Sequence, residues 1–288
     1  MSDLTDVELP AAGACRSVAV HTLRRGVWSD VSDSVAEEVP VALEFNGISH
    51  AVMMATPSDL EDFAVGFSLS EGIVSSAAQI YDMEVTRVGE GAGAGFTIHL
   101  DIASELFLLL KERRRNLTGR TGCGICGTES LDQAVRCPAP LSGNQVFQAA
   151  SIARAIAQMR ERQQLGSVTG STHAAMWADA AGDIRHSRED VGRHNALDKL
   201  VGALARAKVA AHAGFIVVTS RASYEMVQKT ASCGVRLLAA VSGVTGLAVD
   251  VAEQSGVALA GFARGADMTL YTHAELVGTE HINLETGP

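Results

Sequence analysis

The 288-residue sequence predicts an α/β protein: a main domain built on a mostly parallel sheet, preceded by a smaller α+β region. Three observations lead there. In the last third, apolar runs ("GFIVVTS", "VRLLAAVSG", "VALAGFAR") alternate with amphipathic runs ("SYEMVQKTASCG", "GLAVDVAEQSG"). Strands that are apolar throughout, separated by helices, belong to a parallel sheet covered on both faces. Near the start, residues 16–56 instead alternate apolar with polar, the mark of antiparallel strands with one wet face. Finally, 47% hydrophobic and 19% charged residues are enough for a substantial core and exclude a disordered chain.

Taken in order, residues 1–15 read as a flexible tail and residues 16–117 as the N-terminal α+β region. "SVAVHTL" and "PVALEFNGISHAVMMAT" are strand segments, with "FNGIS" as a hairpin turn. "PSDLEDFAVGFSLSEGI" is a helix opened by Pro57 and Ser58, with acids in its first turn, and closed by Gly72. "GEGAGAGFTIHLDI" is a glycine turn feeding a strand, and "ASELFLLLKERRRNL" a helix with a basic end. Residues 118–130 form a mobile glycine loop, and residues 131–288 the main domain. In the latter, "NQVFQAASIARAIAQMRERQQL" is helical, "GSTHAAMWADAAGDIRHSRED" a strand, turn and strand, and "VGRHNALDKLVGALARAKV" a helix. The strand–helix alternation follows. In such sheets ligands bind outside the carboxyl ends of the strands, here "SRAS", "SGVTG" and "GFARG".

The net charge of −10 argues against a general nucleic-acid binder. No apolar run reaches the roughly 18–20 residues of a membrane helix, and "MSDLTDVELP" lacks the order of a signal peptide. A cytoplasmic protein without a membrane or nucleic-acid partner is expected. The cysteine count is five, and in a reducing compartment a close pair is catalytic or metal-binding rather than a structural disulfide.

That pair is Cys123 and Cys126 in "TGRTGCGICGTES". The surrounding glycines strip away steric cover and cannot build a core. Three readings are open. A zinc knuckle needs four ligands, so Cys137 and His173 or His194 would have to join, since there is no second CxxC. A redox pair would sit between strand and helix among bulkier neighbours. A carrier thiolate would accept a group from one partner and hand it to another, and Arg113, Arg114, Arg115 and Arg120 nearby would favour the thiolate. Cys15, Cys137 and Cys233 are isolated and receive no role. Downstream, "SREDVGRHNALDKL" packs Arg188, Glu189, Asp190, Arg193, His194, Asn195, Asp198 and Lys199 into one short stretch. With Arg221 and Arg264 at strand ends, it points to a pocket for an anionic, phosphorylated ligand. His173, on a strand, reads as structural.

The order of "GFSLSEGIV", "TGCGICGTES", "TGSTHAAMW", "REDVGRHNALDKLVG", "SRASYEMVQK" and "GFARGADMTLYTH" over residues 66–273 resembles the FdhD family of sulfur carriers required for formate dehydrogenase. The resemblance implies a cytidine deaminase-like three-layer core and a homodimer. It implies a sulfurtransferase: a cysteine desulfurase loads a persulfide on Cys123, with Cys126 as helper or second relay thiol. The sulfur then passes to the molybdenum or tungsten of a bis(molybdopterin guanine dinucleotide) cofactor and activates formate dehydrogenase. It places the cofactor, guanine nucleotide included, on Phe262, Ala263, Arg264, Gly265, Ala266 and Asp267. Arg221, His194 and Arg193 are further phosphate candidates, and no resident metal is expected. Deaminase chemistry does not follow, because Ala175 stands where the H-x-E glutamate would be. The competing function is a chaperone that binds and inserts the cofactor without sulfur chemistry.

Overall fold

A computed structural model of the chain describes residues 13–118 and 138–279. The described residues form a mixed α/β structure whose backbone divides into two compact units. The units are not consecutive. Of the described residues, the first comprises 13–118, 160–175 and 187–209, and the second 138–159, 176–186 and 210–279. This interleaving departs from the linear division read from the sequence, and its cause within the first unit is a helix pair described below.

In the first unit, β1 (Cys15–Arg24) and β2 (Val27–Ala36) form a two-stranded antiparallel ribbon. β3 (Val39–Phe45), β4 (Ile48–Ala55), β5 (Ile80–Val88) and β6 (Gly95–Ile102) make a sheet in the order β4-β3-β6-β5. The predicted β3–β4 hairpin is present. Asn46 and Gly47 both take left-handed φ, 47° and 77°, as a tight primed turn requires. The Asn46 amide also ties the turn to β6, accepting from the Ile102 N–H at 2.9 Å and donating to the Ile102 carbonyl at 3.0 Å. The sequence reading assigns no element to β5. A bulge between Ile80 and Asp82 breaks its two-residue period, which hides the strand from pattern reading.

Helices α1 (Leu60–Ser70) and α2 (Ser104–Thr118) follow the predicted runs. Phe63, Ala64 and Phe67 of α1 pack with Val41, Leu43, Phe45, Ile98 and Leu100 of the sheet in one buried core. Helix α5 (Arg193–Arg206), the fifth among the described residues, lies far away in sequence yet belongs to this unit and crosses α1 in backbone contact. The crossing needs two glycines. A methyl added at Gly66 would stand 1.7 Å from the Asp198 carbonyl oxygen, and one at Gly202 1.8 Å from that of Asp62. Gly66→Ala is therefore expected to destabilise the protein by about 1–3 kcal/mol despite alanine's better helix propensity. A lowered urea midpoint would register this, and an unchanged one would show that the helices can separate at no cost.

In the second unit, β10 (Gly214–Val218), β11 (Leu237–Ala240) and β12 (Ala258–Arg264) are parallel, and β13 (Asp267–Thr272) returns antiparallel to β12. With β8 (His173–Asp179) and β9 (Ile184–Asp190), the strand order is β13-β12-β11-β10-β8-β9. Helices α3 (Ala149–Arg162), α6 (Tyr224–Ser232) and α7 (Gly246–Ser255) alternate with these strands, and α4 (Gln164–Thr169) is a short turn of helix in the first unit. Gly256 closes α7 in the left-handed region and Gly234 follows the end of α6 with φ 78°. A short parallel pair joins β7 (Phe147–Gln148) to β14 (Val277–Gly278). Among the described residues, no helix is long and apolar enough to cross a membrane.

Candidate functional site

The pair Cys123 and Cys126 lies outside the described residues, as does Cys137. The other two cysteines can be judged. Cys15 is half-buried at the start of β1. Burial pushes the Cys233 thiol up to about 12, and its S–H donates to the Thr230 carbonyl at 3.1 Å. Cys233 is thus a protonated thiol at neutral pH and no nucleophile. Among the described residues, no group of three or more His, Cys, Asp or Glu side chains is placed to hold a metal ion.

The dense motif of the first unit resolves into two kinds of residue. Most of its charges are structural. Asp190 and Lys199 are fully buried and form an ion pair at 2.7 Å. Asp190 also accepts from the backbone N–H groups of Thr56 (2.9 Å) and Gly192 (2.7 Å) and from the Asn195 amide (3.1 Å). Lys199 donates to the Thr56 carbonyl at 3.0 Å, and Asn195 to that of Met54 at 2.8 Å. The network thereby knots the ends of β4 and β9 to α5. Arg188 pairs with Asp62 at 2.6 Å and Asp59 at 3.4 Å. Glu189 accepts from the N–H groups of Leu165 and Gly166 and from the Thr172 hydroxyl, which fixes α4. Asp198 accepts from the Ser70 hydroxyl at 2.6 Å.

Arg193 and His194 stand on the first turn of α5. Arg193 Nε is buried without a hydrogen-bond partner. Gly192 occupies the N-cap, so no side chain caps the helix. His173, at the start of β8, senses the same place. Burial and the Arg193 charge hold its imidazole below the ordinary histidine range; His194 acts in the same sense and Asp190 opposes. The sequence reading takes His173 as structural or as a fourth zinc ligand, although the predicted "DAAGD" hairpin, by returning the chain, brings the start of β8 toward the end of β9.

In the second unit the three strand-end loops are joined by backbone hydrogen bonds. Ala222 N–H donates to Gly243 (3.1 Å), Thr245 N–H to Ala222 (3.1 Å) and Phe262 N–H to Ser242 (3.0 Å). Arg221 is exposed, and the buried Ser223 Oγ at the N-cap of α6 lacks a hydrogen-bond partner. Phe262 is held at φ 53°, a costly angle for a bulky residue, within an irregular stretch of the β12–β13 ladder. The residue is 51% exposed, and its ring lies over Gly243, where an added methyl would come within 3.1 Å of it. Arg264 and Ala266 are exposed, as is Asp267, and Gly265 turns the chain at φ 58°; Ala263 is buried and its methyl packs inside. The strand ends therefore present an aromatic face and two guanidinium groups, with the unpartnered Ser223 hydroxyl buried beside them.

Comparison with known proteins decides what this arrangement belongs to. The model of the FdhD/NarQ family matches residues 36–277. The chain belongs to that family. A relative from Cupriavidus necator named sulfur carrier protein FdhD is 55% identical over 257 residues, 89% of this chain and 88% of that protein. One of the same name from Variovorax paradoxus is 53% identical over 271 residues, 94% of this chain and 96% of that one. A solved structure from Desulfotalea psychrophila, described as that of a candidate formate dehydrogenase accessory protein, agrees in fold at a TM-score of 0.69. It is 21% identical, and the match covers 92% of this chain and 100% of that one.

Away from the strand ends, one titrating group of this FdhD/NarQ chain has a clear consequence for stability. His273 lies between Glu275 and the Glu253 carbonyl, each 3.1 Å from a ring nitrogen. Partial burial opposes its charge, but these hydrogen bonds and the two carboxylates outweigh burial and raise its pKa above 6.5. A raised folded-state value favours the protonated fold. The stabilisation is complete below the unfolded value and disappears as pH rises through the folded one. His273→Asn, which keeps a residue tolerant of the left-handed φ of 48°, is expected to lower the melting temperature more at about pH 6 than at about pH 9. Equal losses at both would remove the ion-pair account.

Proposed function

We propose that the protein is a sulfur carrier that serves formate dehydrogenase. The observation that carries this is the 55% identity, across nearly the whole chain, to a protein named sulfur carrier protein FdhD. In this reading a cysteine desulfurase presents a persulfide. The Cys123 thiolate attacks its terminal sulfur, the donor's S–S bond breaks, and a Cys123 persulfide forms as the donor thiolate leaves. No net oxidation occurs. Delivery of that sulfur as sulfide to a molybdenum or tungsten centre requires two electrons. Cys126 supplies them by attacking the inner sulfur of the persulfide, releasing sulfide and closing a Cys123–Cys126 disulfide, which a cellular thiol reductant reopens. The protein is then a sulfurtransferase in chemical terms.

The metal arrives as substrate, on a bis(molybdopterin guanine dinucleotide). The strand-end face of the second unit supports this cargo. Phe262 offers a ring for a purine to stack on, Arg221 and Arg264 offer charge to phosphates, and the Ser223 hydroxyl, at a helix N-terminus, lacks a partner. Gly265, Ala266 and Asp267 complete the turn beside Phe262, with Ala263 packing beneath. Homodimer formation, a cytoplasmic location and the cytidine deaminase-like description of the core belong to the same proposal. The competing reading, a chaperone that binds the cofactor without moving sulfur, is separated by one experiment. Purified apo-formate dehydrogenase, cofactor and this protein are mixed with or without desulfurase and cysteine. The carrier requires the sulfur source for activation, whereas equal activation without it would favour the chaperone.

A further inference from the structure

We infer that the solvent face of α2, centred on Leu108 and Leu109, is the docking surface for the protein that loads sulfur on the cysteine pair. The inference rests on the carrier reading. It adds where the donor binds and what its surface must offer, an apolar groove with an acidic rim.

Helix α2 carries more leucine than its packing uses. Leu110 is buried in the core of the first unit, and Leu106 and Phe107 pack half-buried against that core. Helical spacing puts these three on one side of the helix. Leu108 falls on the opposite side and Leu109 on the flank, and they are 59% and 52% exposed. Helix propensity does not call for them, since Gln, Glu and Lys form helix nearly as well on a wet face. Two adjacent exposed leucines are apolar surface that a covering protein removes from water. The same helix then turns basic. Lys111 lies over the Phe107 ring, 4.5 Å from its centroid, and Arg113, Arg114 and Arg115 follow in sequence. Glu112 is the one acid among these cations, in a chain whose net charge is −10. An acidic partner is repelled by the chain as a whole and attracted at this helix.

The chain also places α2 beside the sulfur chemistry. Cys123 follows Thr118, the last residue of α2, by five positions. Five residues reach at most about 18 Å, and a helix rises about 14 Å from Leu109 to Thr118. A donor seated on Leu108 and Leu109 therefore has Cys123 within the breadth of an ordinary protein interface, about 30 Å across.

The test compares two sulfur donors on the full-length chain. A cysteine desulfurase supplied with cysteine has to dock. Glutathione persulfide has only to meet the Cys123 thiolate, which takes its terminal sulfur while glutathione thiolate leaves. In protein carrying Leu108→Gln and Leu109→Gln, loading by limiting desulfurase is expected to slow about tenfold. Loading by glutathione persulfide is expected to keep the parental rate. Raising salt from about 50 to about 500 mM is expected to slow desulfurase loading of the parent chain several-fold, a reading that needs no substitution. Desulfurase loading indifferent to both the substitutions and salt would overturn the inference. So would slowing with both donors, which would make the leucines a support for the cysteine segment. A lower mass in solution for the variant would overturn it too, by assigning the face to a second copy of the chain. A parent chain that takes sulfur from neither donor would instead defeat the carrier reading, so the two failures are told apart.

Discussion

Cys123→Ala is expected to leave formate dehydrogenase inactive while the carrier itself stays folded. The thiol is the proposed nucleophile, and nothing else described in the chain can replace it. Cys233 is a half-buried thiol with its pKa pushed up to about 12, and Cys15 stands alone at the start of the β1–β2 ribbon. Loss of a covalent nucleophile typically costs a factor on the order of 10³ or more. Activation should therefore fall to the level seen without the carrier. Folding should be spared, because the change removes one sulfur atom from a stretch flanked by Gly122 and Gly124, residues too small to build a core. The informative measurement pairs enzyme activation with the variant's melting temperature. Full activation by folded Cys123→Ala protein would remove Cys123 from the reaction.

Lys199→Met has the opposite profile, with a large effect on folding and an effect on activity only through it. Lys199 and Asp190 are both 0% exposed. Truncating the lysine leaves a carboxylate in the interior with its three donor groups but without its counter-charge. Breaking a buried pair in this way costs about 3–5 kcal/mol, comparable to a third or more of the roughly 5–15 kcal/mol stability of an ordinary domain. Asp190→Asn combined with Lys199→Met removes the uncompensated charge, and this double variant is expected to be more stable than Lys199→Met alone. Chemical denaturation of the two proteins decides the point. A Lys199→Met chain as stable as the parent would mean that the Asp190–Lys199 pair contributes nothing to the fold.

These two residues also mark where sequence reading stops. The strands and helices of the α/β part were legible because apolar runs, helical spacing and glycine caps agree there, as at Gly234 and Gly256. β5 was not, since its bulge breaks the period. Asp190, Asn195, Asp198 and Lys199 look like ligand-binding chemistry in a linear string, because a buried ion pair and a binding pocket use the same residue types. Only the fold reveals that Asp190 is paired with Lys199. The α1–α5 crossing was equally hidden. Gly66 and Gly202 read as ordinary helix glycines until the Asp198 and Asp62 carbonyls are placed against them. Phe262 was singled out only by family resemblance; its left-handed backbone and exposed ring supply a physical reason for the choice.

The most direct measurement is intact-protein and peptide mass spectrometry after incubation with a cysteine desulfurase and cysteine. The account predicts added sulfur on the peptide that carries Cys123 and Cys126, released by reductant, and none on the peptides of Cys15 or Cys233. A peptide that gains no sulfur, in protein holding one zinc per chain, would contradict it and make the cysteine pair a metal site.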